Sequence, residues 1–400
     1  MTARWVIPID RPPLEGGIVV VGGERILALE ERGSRKPDLY FDDCAVLTGL
    51  VNTHTHLDLS GLRGQIAKPS SFVDWLRAVI RHRRGLTLEQ VQADIRCGID
   101  ACLAAGTTLV GDISGQGISW PLLADSPLRA VVYYELLGLP KPRAKAAWAE
   151  ARAWLTAHPA TRSCRPGLSP HAPYSVRRSL FRCAARLSTR EKLPLAIHID
   201  ETQPEKELIA AHKGPMVDFL AEMGAWDDSG LVEETKRFRI NRGADPLSFV
   251  HGNYMKPEQF DSNGSIVYCP RTHAFFGHPP HPVRELLARG VNVALGTDSL
   301  ASNPDLDMLA EMRFLQRRRP DLSSDVILRM ATVNGARALG WQEDTGSLTP
   351  GKSADFVVVP IGTARDDPHR LVLEGEEGAR AVCLRGKWLV GAGGLSKVTR

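Results

Sequence analysis

The chain has no Cys-x-x-Cys pair, and its seven cysteines, at positions 44, 97, 102, 164, 183, 269 and 383, are scattered and odd in number. That argues against a disulfide framework and a cysteine-built zinc site, and leaves core filling as the plain role of these thiols. No apolar run approaches the roughly 18 residues of a membrane span, and the opening MTARWVIPIDRPPLEGG lacks the long apolar core of a signal peptide. A cytoplasmic protein without a membrane partner is expected. Neither sign of charge is in large excess. A formal net charge of +4 over 400 residues announces no nucleic-acid partner. The one dense basic run, RAVIRHRR at 77–84, reads as a solvated helix face. No internal repeat is visible, which sets solenoids and propellers aside.

What is present is a hydrophobic share of 43 % and a charged share of 24 %, as in a globular protein. Short apolar runs broken by glycine and proline lie at Gly17–Val21 and Arg25–Leu29, and again at Ser353–Val359, Ala379–Leu384 and Lys387–Val390. They predict one small β-domain assembled from both ends of the chain, residues 1–48 and 345–400. Between them, residues 49–344 alternate strand and helix patterns. The strand candidates are Leu47–His54, Thr108–Ile113, Ala130–Leu136, Pro166–His171, Leu195–Asp200, Leu247–Gly252, Ser265–Cys269 and Val291–Asp298. Helical patterns cover Leu88–Ala105, Ala144–Ala157, Ser179–Leu187, Val217–Met223 and Val283–Arg289. Eight strands at about 35 residues per unit predict a parallel (β/α)8 barrel of the TIM type.

In such a barrel chemistry sits at the C-terminal strand ends. The first strand ends in His54 and His56, which share a strand face and so leave it in one direction, as two ligands of one metal would. His171 closes the fourth strand, and His198 the fifth, followed by Asp200 and Glu201. His251 closes the sixth strand and Asp298 the eighth. Taken singly, each is an ordinary polar residue. Five of eight strands ending this way is hard to obtain by chance.

These stretches, HTHLDLSGLRG, FVDWLRAVI, AGTTLVGD, SPHAPYS, HIDET, VHGN, YCP, GTDS, ATVNGARALG and GSLTPGKSADFVVV, span nearly the whole chain. Together they resemble the amidohydrolase superfamily, and within it the cytosine deaminase and S-adenosylhomocysteine/adenosine deaminase branch. The resemblance implies a distorted barrel with a composite β-sandwich from both termini. It also implies one divalent transition metal held by His54, His56, His198 and Asp298, zinc by preference with Fe²⁺ also admitted by the ligands. Two-metal relatives bridge their ions with a carboxylated lysine, usually on strand 4, and no lysine occurs here between Lys145 and Lys192. By the same resemblance Glu201 is a proton shuttle, His251 a hydrogen-bond partner of the attacking oxygen, and Asp298 both a ligand and an aid to deprotonation.

Two departures bear on substrate. The family's Cys-Pro continues with a Ser-Asn pair, whereas this chain reads Cys269-Pro270-Arg271-Thr272-His273. Where adenosine-type members carry a glutamate after the strand-1 insert, this chain has Arg81, His82, Arg83 and Arg84. The expected substrate contacts are His171, Trp75, Arg84, Arg271 and His273. So many cationic or donor groups favour an anionic substituent on the substrate. The expected activity is hydrolytic deamination of an adenine nucleoside derivative of the aminofutalosine or S-adenosylhomocysteine type. Nucleobase deamination, triazine dechlorination and cyclic-amide hydrolysis stay open on the same metal site. The only partners expected are the small-molecule substrate and a second copy of the chain in a homodimer.

Overall fold

Short valine- and isoleucine-rich runs, separated by glycine and proline, build the first layer. The computed structural model describes residues 1–68, 70–233, 245–260 and 263–390. It opens with β1 (Thr2–Ile7), β2 (Leu14–Glu15), β3 (Ile18–Gly22), β4 (Arg25–Glu30) and β5 (Tyr40–Thr48). The barrel strands follow: β6 (Leu50–Thr55), β7 (Thr107–Ser114), β8 (Arg129–Leu136), β9 (Cys164–Pro170), β10 (Leu195–Ile199), β11 (Leu247–His251), β12 (Ser265–Tyr268) and β13 (Val293–Leu295). The end of the chain adds β14 (Phe356–Pro360), β15 (Ala381–Leu384) and β16 (Lys387–Val390).

The terminal strands form one mixed sheet, ordered β16-β15-β14-β5-β1-β3-β4 with β2 beside β1. Both faces of its centre are covered, which is why β5 and β14 read as near-continuous apolar runs. Val46, Phe356 and Val358 pack within the terminal domain, while the alternate residues Leu47, Val357 and Val359 join the main core. The chain then crosses into the barrel through Gly49, where a Cβ would fall 2.1 Å from the Thr108 hydroxyl.

Barrel strands β6 to β13 run in sequence order, parallel at every pairing. Helices α1 (Phe72–Gly85) and α2 (Leu88–Ala104) follow β6, α3 (Trp120–Asp125) follows β7, α4 (Lys141–Ala157) follows β8 and α5 (Arg178–Glu191) follows β9. Beyond β10 come α6 (Gln203–Ala211) and α7 (Pro215–Glu222), and beyond β12 come α8 (Pro270–Phe276) and α9 (Val283–Ala288). After β13 run α10 (Met308–Arg318), α11 (Ser324–Met330) and α12 (Val333–Ala338), while α13 (Pro368–Glu374) lies between β14 and β15. Side-chain caps start several of them, among them Ser71 on α1, the Thr87/Gln90 capping box on α2 and Asp307 on α10. No described helix is long and apolar enough to cross a membrane.

Strand alternation sorts the barrel residues. In β8, Ala130, Val132, Tyr134 and Leu136 belong to the main core around the barrel, whereas Val131 and Tyr133 point inward to a second cluster with Val51, Leu109 and Trp341. The barrel closes where the His54 carbonyl accepts from the amides of Thr297 at 3.1 Å and Asp298 at 3.0 Å. Gly296 permits that approach, since a Cβ there would sit 2.9 Å from the His54 carbonyl oxygen.

Asp355 ties the two units together. Its carboxylate is fully buried and receives the Arg129 guanidinium from the start of β8, Ser353 Oγ at 3.0 Å and the Arg385 amide at 2.9 Å. Its carbonyl accepts from the Gly49 amide at 3.0 Å. Removing one charge from so buried a pair strands the other. Arg129→Ala is therefore expected to lower unfolding free energy by roughly 3 kcal/mol in urea denaturation. A loss well under about 1 kcal/mol would show that the ion pair does not join barrel to sheet.

Candidate active site

Five side chains converge where the barrel strands end. His54 and His56 leave β6, His198 leaves β10, His251 ends β11 and Asp298 follows β13, each 8 % exposed or less. Their ligand-capable atoms form two overlapping groups, His54–His56–Asp298 and His54–His198–His251, each with all atoms within 4.8 Å of one another. Asp298 Oδ1 lies 3.5 Å from His54 Nε2 and 3.7 Å from His56 Nε2. Both ring nitrogens of His54 and Nδ1 of His56 are buried with no hydrogen-bond partner in the structure. Orphaned polar atoms of this kind are rare without a ligand to satisfy them. His198 donates Nδ1–H to the His171 carbonyl at 3.1 Å, which leaves the Nε2 lone pair for the cluster.

Backbone conformation completes the convergence. Asp200, His251 and Asp298 have φ of 49°, 71° and 59°, a left-handed region that non-glycine residues seldom adopt. Within a strand, residues three apart face opposite ways, so Glu201 would not share the face of His198. The left-handed Asp200 between them turns it, and Glu201 Oε1 comes to 3.4 Å from His251 Nε2. The Glu205 carboxylate holds this turn by accepting from the amides of Asp200 at 3.2 Å and Glu201 at 2.8 Å.

Burial dominates the electrostatics. It holds His56 and His198 well below the usual histidine range and lowers His251 to about 3, so these rings are neutral ligands or acceptors at pH 7. Burial, with the charges of Asp298 and Glu205, pushes Glu201 well above the carboxylate range. For Asp298 burial acts upward too, but the imidazoles of His54, His251 and His56 outweigh it and the carboxyl is lowered. Asp112, at the end of β7, accepts from the Leu57 amide at 2.9 Å and pins the turn behind His56, with burial raising it to about 7.

The cluster forms the floor of a cavity of about 620 Å³. One wall carries Glu135 and His171. Phe72, Trp75, Val79, Phe219, Leu220 and Met223 make an apolar corridor, and Arg84 and Arg143 also line the space.

The model of the amidohydrolase family matches residues 45–379. This chain belongs to that family. It is 30% identical over 352 residues to the aminodeoxyfutalosine deaminase of Deinococcus radiodurans, covering 81% of each chain. Against the 5-methylthioadenosine/S-adenosylhomocysteine deaminase of Moorella thermoacetica it is 27% identical over 378 residues, covering 89% of this chain and 84% of the other. Its fold superimposes on Helicobacter pylori aminofutalosine deaminase in complex with methylthio-coformycin with a TM-score of 0.86 at 24% identity, over 97% of this chain and 99% of that one. The family is metal-dependent, and among the described residues the buried histidine–aspartate cluster can hold a cation.

Of the expected substrate contacts, His171, Trp75 and Arg84 line the cavity, and Arg271 and His273 are not among its lining residues. Arg271 is spent on a buried network, with Nε 2.7 Å from Glu311 Oε1 and Nη2 2.6 Å from Asp305 Oδ1. His273 is turned into α8's own loop, its Nε2 donating to the Pro279 carbonyl at 2.8 Å. The basic run is also not one solvated face: Arg83 reaches inward, 2.6 Å from Asp58 Oδ2 and 3.5 Å from Glu135 Oε2.

Glu135 was missed by reading strand ends alone. It shares the inward face of β8 with Val131 and Tyr133, so a lone carboxylate inside the apolar run AVVYYEL was the available signal. Arg271→Ala is expected to cost roughly 3 kcal/mol in stability. In the protein that still folds, KM should be unchanged. A raised KM at unaltered stability would return Arg271 to substrate binding.

Proposed function

We propose that this amidohydrolase deaminates an adenine nucleoside derivative whose substituent extends through apolar space to an anionic end, the aminofutalosine or S-adenosylhomocysteine type, using a single zinc ion. The cavity carries the reading: one continuous space joins a proton-handling floor, a wall of acceptors, an apolar corridor and guanidinium groups.

The donor set fits a cation. The imidazoles of His54, His56 and His198 and the Asp298 carboxylate would hold it, nitrogen and oxygen donors of the kind zinc takes, and the absence of lysine between Lys145 and Lys192 supports a single ion. A bound cation supplies the Lewis acidity that makes water nucleophilic near neutral pH. The residues of the chain do the rest. Glu201, raised by burial, can carry a proton and give it to a ring nitrogen of the heterocycle, the step that makes the amino-bearing carbon electrophilic. Neutral His251, 3.4 Å from Glu201, is placed to hydrogen-bond an oxygen arriving between them.

On the wall, Ser175 Oγ lies 2.7 Å from His171 Nδ1 and donates onward to the Ala172 carbonyl. With the Ser175 hydroxyl turned to the Ala172 carbonyl, the His171 tautomer that fits carries its proton on Nδ1 and offers Nε2 as an acceptor. Glu135 beside it is an acceptor as well, held by Arg83. Two adjacent acceptors match two hydroxyl donors, as on a ribose. Names borne by the relatives from Deinococcus and Moorella agree with this reading.

Ammonia release should be measured with adenosine, 5-methylthioadenosine, S-adenosylhomocysteine and aminofutalosine, with cytosine and guanine as controls. A carboxylate-bearing nucleoside is expected to exceed adenosine by roughly tenfold or more in kcat/KM, the value of one charge-assisted hydrogen bond. Preference for a plain base would defeat the nucleoside reading. Glu201→Gln should retain about one metal per chain and lose roughly 10²-fold or more in kcat. Near-normal turnover in that variant would remove Glu201 from proton transfer.

A further inference from the structure

His251 ought not to face the cavity. In β11, Leu247 and Phe249 belong to the core outside the barrel, while Ser248 faces inward and donates to the Ala338 carbonyl at 3.3 Å. Strict alternation would send residue 251 outward with 247 and 249. Its left-handed φ of 71°, followed by Gly252 at 65°, reverses that direction and brings the imidazole beside Glu201. Such a conformation is strained at a non-glycine residue and persists only where its surroundings hold it.

Beside this turn lies His281. This residue sits between Pro280 and Pro282 in the loop joining α8 to α9, and its ring is 2 % exposed. The ring stacks on Tyr268 at a centroid distance of 4.0 Å and an interplanar angle of 19°. Nε2 donates to the His251 carbonyl at 2.9 Å, and Nδ1 is buried without a hydrogen-bond partner. The ring is therefore neutral, with its one proton committed to that carbonyl. From the other side, Arg319 Nη1 donates to the His281 carbonyl at 3.0 Å, and Arg319 is itself gripped by Asp321 at 2.8 and 2.7 Å. Flanking prolines limit the freedom of the loop, so the donor arrives with little entropy left to lose.

We propose that His281 is a positioning residue for His251: its Nε2–H fixes the peptide plane after residue 251, and with it the turn that swings the His251 imidazole into the site. This rests on the reading that His251 takes part in the reaction, but its geometric half stands apart from any activity. His281→Phe keeps the ring on Tyr268 and removes the donor, whereas His281→Gln restores an N–H.

Crystal structures of the wild type and His281→Phe give the first test. Residue 251 should leave the left-handed region and its imidazole should move off Glu201; an unmoved His251 overturns the proposal whatever the substrate proves to be. Kinetics give the second. His281→Phe is expected to lose about tenfold in kcat, with KM and metal content within about twofold, and His281→Gln to recover most of the loss. The double variant His251→Ala/His281→Phe should be no slower than His251→Ala alone. Equal losses in the Phe and Gln variants, or a further loss in the double variant, would make His281 a packing residue and nothing more. Should His281→Phe fail to fold, the Gln variant and its structure carry the same test: an intact left-handed 251 with wild-type kcat supports the donor role, and a displaced one with wild-type kcat overturns it.

Discussion

The site depends on how the barrel closes. One carbonyl, that of His54, receives the amides of Thr297 and Asp298 and so welds the first barrel strand to the last. The same contact fixes two side chains relative to each other, because the imidazole of His54 and the carboxylate of Asp298 spring from the residues that make it. Any widening of the seam would separate cation donors. Gly296 is the sequence's accommodation to this, the one residue type whose lack of a side chain lets the two backbones meet there.

Alternating strand and helix patterns made the barrel readable, because each strand is a run of apolar residues bounded by turns. The polar residues at strand ends were equally visible: His54, His56, His198, His251 and Asp298 interrupt apolar runs where nothing but chemistry or strain keeps a polar group. What periodicity could not supply is direction. It has no means of knowing that Asp200 and His251 are left-handed, and parity alone would have put Glu201 and His251 on the wrong faces. It also cannot tell a guanidinium facing ligand from one facing its own carboxylates. Arg271 and Arg83 are alike in sequence, both in basic stretches near the site, yet one is consumed by Asp305 and Glu311 and the other braces Glu135. Parity did hold the clue to Glu135, on the inward face of β8.

Three arginines, Arg83, Arg129 and Arg271, each answer buried carboxylates at a different level of the molecule. Burying such charges gains little by itself against well-packed apolar groups, whereas leaving one unmatched is costly. Their value lies in direction, since a planar guanidinium with several donors holds its partners at set angles. Arg129 aligns barrel and sheet. Arg271 moors the loop after Asp298 through α10, and Arg83 moors α1 against the cavity wall.

The Asp58–Arg83–Glu135 arrangement has a consequence for orientation. Two carboxylates share one guanidinium there, so at full ionisation that wall keeps an unbalanced negative charge within a largely apolar, poorly screened space. Arg84 and Arg143, which both reach Met223, bring the opposite sign to the lining. The space is thus polarised, and a molecule carrying donors at one end and an anion at the other has a single favourable way round. Reversed, it would set like charges together at Glu135 and leave the guanidinium groups unanswered.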